Sequence, residues 1–398
     1  MVTAPPTFRR SLLAAVAGVA LSMSGLARAE DVSAPAILSW FDATYATQER
    51  RAADLFNAGY GAVWVPPPGR ADSGNQSVGY DPYDRFDLGR AGAPTLYGTE
   101  TGLRTVARTW DKIGVDLHVD LVWNHNGFSD QSNGGFVNAG GYPGFVLRNP
   151  NGTALGQAGT DGDFHSPYES GDIRGRISGL IDIDHSTNHQ LIRNPVAADP
   201  RNIPAGAFAN RPDANNARFY TDRGGAGTTF FDPRTNESFT RYDFNAADPL
   251  AGDAVPENVT GYLQRYTQYM VQSVGADGFR IDAAKHMEGW VLNYYDRAVY
   301  QANPRKLLDG STSNVFAYSE VFDSNRDYLL RGVDANNPND DFVRKDINGS
   351  ASVGGNRDVL DFHLRDALAN NLTNNGFAND WRNVTSAGLD VYDDRKHN

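Results

Sequence analysis

The stretch GADGFRIDAAKH, residues 275–286, decides the reading of this chain, and two others extend it: VDLVWNHNG at 119–127 and FAYSEVFD at 316–323. Each is a run of strand-forming residues that ends in charged or amide side chains. Successive side chains of a strand face opposite ways, so Phe279 and Ile281 share one face while Arg280 and Asp282 share the other. An Arg two residues before an Asp is also the pattern of a structural ion pair. What turns the reading toward chemistry is Glu320, which ends the next strand-like run and so sets a second carboxylate beside the first.

Outward from these segments the chain alternates strand and helix signals. Residues 36–41 and 62–65 read as strands, 47–57 as a helix stopped by Gly59, 100–113 as a helix, and 115–122 as the third strand. After a break, Val259, Tyr262, Leu263, Tyr266 and Met270 mark one face of a helix over 257–274, between Pro256 and Gly275. Strands follow at 278–282, 315–320 and 359–362. The rhythm predicts an α/β fold, a (β/α)8 TIM barrel with six of its eight strands visible, whose site lies at the C-terminal strand ends. The break itself, 126–253, is loaded with Gly, Asn, Asp and Pro yet carries Phe, Tyr, Ile and Leu throughout. A structureless loop of that length does not suit a compact domain, so an inserted domain of irregular and β structure is expected, with disorder as the alternative. The barrel would then be built from 30–125 and 254–398.

Residues 1–29 read as an export signal, with Arg9 and Arg10, an apolar run from Leu12 to Leu21, and Ala27-Arg28-Ala29 as a cleavage site. The apolar run is short for a membrane span, and the Arg pair leaves both the general and the twin-arginine export routes open. The expected location is therefore periplasmic or secreted. The chain has no cysteine, so its loops must be held by packing, hydrogen bonds or bound metal. A formal charge of -12, more negative still once the three signal arginines are removed, argues against nucleic acid and anionic membranes as partners. A neutral polymer or a cation is compatible with it.

Two facing carboxyls suit glycosidic cleavage, one attacking the sugar or activating water and the other protonating the leaving oxygen. Taken together, the three segments resemble the motifs of the α-amylase family of glycoside hydrolases, family thirteen. VGYDPYDRFDLG (78–89) is similar to the family stretch after strand two, and GLIDIDHSTN (179–188) to its fifth motif. The resemblance implies Asp282 as nucleophile with retention, Glu320 as general acid and then base, and Arg280 orienting Asp282 and keeping it ionised. It implies that Asp120 supports its strand, that His125 hydrogen-bonds the sugar at the cleavage point, and that Tyr80 stacks beneath it. Lys285 and His286 would contact sugars on the leaving-group side. Asn124 through its side-chain oxygen, Asp182, and the His286 carbonyl would hold a structural Ca2+, an ion that takes hard oxygen ligands. Other readings stand beside these: Asn-His after a strand is also a cap or turn, Tyr80 a core residue, and His185 with His189 a zinc pair at i, i+4 spacing.

The family's last motif, a stretch like FVxNHD on strand seven, would begin about where Asn398 stands, after DVYDDRKHN (390–398). The expectation is an N-terminal part of a longer enzyme, with little hydrolysis by the chain as given. The leading function is calcium-dependent endo-hydrolysis of α-1,4-glucans such as starch, by a monomer. A glucanotransferase or maltooligosaccharide-forming relative, a non-catalytic glucan binder, and a metal-dependent barrel hydrolase are the alternatives.

Overall fold

A computed structural model describes residues 36–127, 142–145, 163–164, 180–185, 256–287, 315–326, 357–377 and 379–389, with a few short segments between them. The predicted export signal and most of the 126–253 insertion lie outside the described residues. Among the described residues no helix is long and apolar enough to cross a membrane.

Six strands form one sheet: β1 (Ile37–Ser39), β2 (Ala62–Val65), β3 (Asp116–Leu121), β4 (Gly278–Ile281), β5 (Phe316–Ser319) and β6 (Arg357–Val359). Every neighbouring pair is parallel, and the spatial order is the chain order. A doubly wound sheet reverses its strand order at a switch point, whereas this one never does. Six consecutive strands of a (β/α)8-type barrel are what remains. Alternation then sorts the side chains: Val63, Val65, Leu117, Val119, Leu121, Phe279 and Ile281 join one buried hydrophobic core with Leu103, Val106 and Trp110 of the helix at Glu100–Asp111. Each such side chain contributes about 1.5–3 kcal/mol by leaving water. The other face carries Trp64, His118, Asp120, Arg280 and Tyr318, which are polar or aromatic and, Trp64 apart, buried.

Helix boundaries depart from expectation where local caps act. The single helix predicted over 47–57 is two, α1 (Tyr45–Arg50) and α2 (Ala52–Ala58), and Thr44 starts the first by accepting from the Thr47 amide at 3.3 Å. α2 ends at Gly59, whose φ of 77° is easily reached only without a Cβ. α3 is the Glu100–Asp111 helix. The helix before β4, α4 (Val259–Tyr269), continues as a π turn over Met270–Val274 and is buried on every side, not on one face only. Strand six sits earlier than the predicted 359–362, because the Asp361 carboxylate accepts from the Leu364 amide at 2.9 Å and caps α5 (Phe362–Leu372), which already contains Phe362.

Within 126–253 the described pieces are strands and turns. Thr228–Asp232 pairs antiparallel with Glu237–Arg241, and Leu191–Ile192 with Pro256–Glu257. His125–Asn126 pairs antiparallel with Ile181–Asp182, which brings the GLIDID segment against the end of β3.

Candidate active site

Register places Asp120 of β3 and Tyr318 of β5 on either side of Arg280. The Arg280 side chain is buried and binds three carboxylates: Nη1 reaches Asp120 Oδ1 at 3.0 Å and Asp282 Oδ1 at 2.6 Å, and Nη2 reaches Glu320 Oε2 at 2.6 Å. Its guanidinium lies 5.1 Å from the Trp64 ring centroid and 5.5 Å from that of Tyr80, both of which attract a cation. Those two residues also donate to Asp120 Oδ2, Trp64 Nε1 at 3.0 Å and the Tyr80 hydroxyl at 2.6 Å. Asp120 is thus more than a strand support. It anchors the cation that holds Asp282 and Glu320.

Burial and charge compete here. Burial raises the Asp120 carboxyl to about 7, against the lowering pull of Arg280, and the neighbouring Asp282 charge raises it further. Asp282 is also pushed above the ordinary carboxylate range, by burial first, while Arg280 and a hydrogen bond with Glu320 draw it down. Arg280 therefore opposes protonation of Asp282 as expected, but does not outweigh burial. Glu320 is the open member of the set, its side chain 35% exposed against 10% for Asp282. The chain turns sharply after Asp282, where Ala283 has a φ of 50° and points its amide at Glu320 Oε2, 3.4 Å away.

His125 stands beside this trio. Its Nε2 lies 2.9 Å from the Tyr80 carbonyl and 3.9 Å from Asp282 Oδ2. A carbonyl only accepts, so Nε2 carries the hydrogen and Nδ1 is left as an acceptor, toward which Asn124 Nδ2 points at 3.4 Å. Burial pushes the imidazole down to about 4, so it is neutral at physiological pH. Asn124 Nδ2 also donates to Asp182 Oδ1 at 3.1 Å. Asn124 and Asp182 are therefore together as the sequence predicts, both buried and both bearing hard oxygens. They meet, however, through the amide nitrogen, so binding a cation through both requires the Asn124 amide to turn over. Among the described residues no three His, Cys, Asp or Glu side chains converge as a metal site. Lys285 Nζ is tied to the Phe322 carbonyl at 2.8 Å, and His286 follows it on a short 3-10 turn at the same mouth. His185 is buried, and His189 lies outside the described residues.

No family model matches the chain. It is 24% identical over 262 residues to the cytoplasmic α-amylase of Escherichia coli strain K12, covering 64% of this chain and 47% of that protein. It is 27% identical over 254 residues to the glucan 1,4-α-maltohexaosidase of Bacillus sp. strain 707, covering 60% of this chain and 41% of that one. Over these matched stretches the chain is similar to members of the α-amylase family. It spans less than half the length of these two relatives. The crystal structure of α-amylase I from Eisenia fetida superposes with a TM-score of 0.40 at 17% identity, covering 88% of this chain and 53% of that one.

Within this site, Trp64, Tyr318 and Arg85 were not among the residues singled out in the sequence, and Asp120 was read only as a support of its strand. For Asp120 a signal was present, since it shares with His118, two residues before it, one face of an alternating strand. For Arg85 there was none, because its partners are fixed only by how two loops return to each other.

Proposed function

We propose that the site is a retaining glycoside hydrolase centre acting on α-1,4-glucans of the starch type. The observation that carries this reading is the seating of Asp282 and Glu320 on adjacent nitrogens of one guanidinium. Carboxyls held that closely suit a nucleophile and acid pair about 5–5.5 Å apart rather than a pair spread to admit a water. In this reading the Asp282 carboxylate attacks the anomeric carbon, and Glu320 gives its proton to the leaving glycosidic oxygen. Glu320 then takes a proton from the water that breaks the glycosyl ester. Its exposure supports that part, because the acid must exchange a proton with solvent and face the leaving group. Neutral His125 would shift its Nε2–H from the Tyr80 carbonyl to a sugar hydroxyl when substrate binds, and Tyr80 offers its ring face. Lys285 and His286 line the side toward the leaving group.

A structural calcium belongs to the same proposal. Asn124, Asp182 and the His286 carbonyl would hold it, and the buried amide and carboxylate suit a hard cation in donor chemistry. It would tie the GLIDID segment to the end of β3. Export to the periplasm or exterior is proposed from the signal-like residues 1–29.

The test uses α-maltosyl fluoride, whose leaving group needs no proton, beside starch. Glu320→Gln should lower starch cleavage by about 10²–10⁴-fold yet still release a first equivalent of fluoride before a slow turnover that lacks its base, while Asp282→Asn should abolish both. An Asp282→Asn protein that still turns over the fluoride would overturn the assignment.

A further inference from the structure

We infer that Arg85 is a positioning residue that sets the orientation of His125, and with it the sugar contact that the proposed function assigns to that imidazole. Arg85 is buried at 2% exposure, on the strand-like segment Pro82–Asp84 and its continuation. Nε donates to the Val122 carbonyl at 3.1 Å, and Nη2 donates to the same carbonyl at 2.9 Å and to that of His125 at 2.6 Å. Nη1 donates to Asn126 Oδ1. All these acceptors lie in one turn, residues 122–126, on both sides of Asn124 and His125.

The turn cannot hold itself. Its strand ladder is ending: the Leu121 carbonyl takes the Asp282 amide at 2.9 Å, and the Asn124 carbonyl takes the Ile183 amide at 2.7 Å. The carbonyls of Val122 and His125 face inward instead, where burial makes an unmet acceptor cost about 1–3 kcal/mol. The fork of one guanidinium meets them. The same stretch grips the turn in return, with His125 Nε2–H donating to the Tyr80 carbonyl and the Gly127 amide to that of Pro82 at 3.0 Å. Residues 80–85 and 122–127 therefore form one cross-bonded unit. The guanidinium also lies 5.3 Å from the Phe145 ring, which stacks on Phe164, and Phe164 bridges to Ile183. The inserted segment thus braces the turn through the same side chain.

Lysine has no planar fork, and its ammonium offers three donors from a single point, so it can meet part of this set but not all of it. The experiment uses the full chain with Arg85→Met and Arg85→Lys. Arg104→Met is the control, because the partners of this arginine, Glu100 at 2.8 Å and the Tyr269 hydroxyl at 3.2 Å, lie outside the 122–126 turn. Two readouts are taken on folded protein: kcat and KM for α-maltosyl fluoride, and the imidazole ¹⁵N spectrum of His125, assigned by its loss in His125→Gln. In Arg85→Met the single Nε2–H tautomer should be lost and kcat/KM should fall about 100-fold, the scale of a misplaced contact group. Arg85→Lys should recover part of each, and Arg104→Met should change neither. Folded Arg85→Met or Arg85→Lys with a wild-type His125 spectrum and wild-type kinetics would overturn the inference, as would the same changes in Arg104→Met. If the chain as given does not turn over the fluoride, as expected of part of a longer enzyme, the His125 tautomer alone decides the role of Arg85.

Discussion

His118 should make this protein sensitive to mild acid, and replacing it should remove a defined share of that sensitivity. The ring is fully buried inside the sheet, against Phe316 and Tyr318, with Nδ1 3.4 Å from the Tyr318 hydroxyl. Burial pushes its pKa down to about 3 from 6.5. The folded state thus refuses a proton that the unfolded chain accepts, so the stability is intact above pH 6.5 and is lost as pH falls toward the folded value. At about 1.36 kcal/mol per pH unit, the loss by pH 5 is about 2 kcal/mol from this residue alone. His118→Phe keeps a ring of similar shape and has no proton to refuse. Urea unfolding of both proteins at pH 7.5 and pH 5 gives two pH-dependent losses, and the variant's should be about 2 kcal/mol smaller. Comparing each protein with itself cancels any packing cost of the substitution. Superimposable pH dependences would refute the reasoning, since every other titrating group is common to both.

Two further outcomes follow from the same interior. A Cβ on Gly278 would lie 2.5 Å from His118 Cδ2, so Gly278→Ala should destabilise by about 1–3 kcal/mol, and in a His118→Ala background that cost should largely vanish in a double-mutant cycle. For the proposed calcium, free ion at about 100 times its Kd should raise unfolding stability by about 2.7 kcal/mol over a chelator-treated sample, and Asp182→Asn should shrink the difference. Melting curves that coincide with and without calcium would remove the ion from the proposal.

The barrel strands and the Asp282–Glu320 pair were legible because both rest on short-range pattern. Alternation alone puts Arg280 and Asp282 on one face, and a run such as AVWV between a Gly stop and a turn leaves little choice. The helix split at Arg51 and the early cap at Asp361 were missed, since a cap depends on one side chain that equally suits a loop. Nothing local shows that Arg280 also holds Glu320, or that Trp64 and Tyr80 donate to Asp120. Those contacts join residues separated by 40 to 56 positions, and parallel register is what brings them together.

That register also explains why one arginine is asked to serve three carboxylates. A lone Arg280–Asp282 pair would lock the nucleophile as a plain ion pair and leave Glu320 without that partner. With Asp120 fixed beneath by Trp64 and Tyr80, the guanidinium is itself fixed, and its remaining donors point to the two carboxyls at the mouth. Burial raises both Asp120 and Asp282 against the pull of Arg280, and the Asp282 charge raises Asp120 further. Asp120 and Asp282 therefore hold protons more tightly than exposed carboxylates would, and coupled groups of this kind titrate as a set. In the proposed reaction this is useful: the centre must hold one carboxyl ionised and another protonated at the same pH. Arg280 opposes at Asp282 the proton that burial favours, and the more open Glu320 faces the cleft and the leaving group.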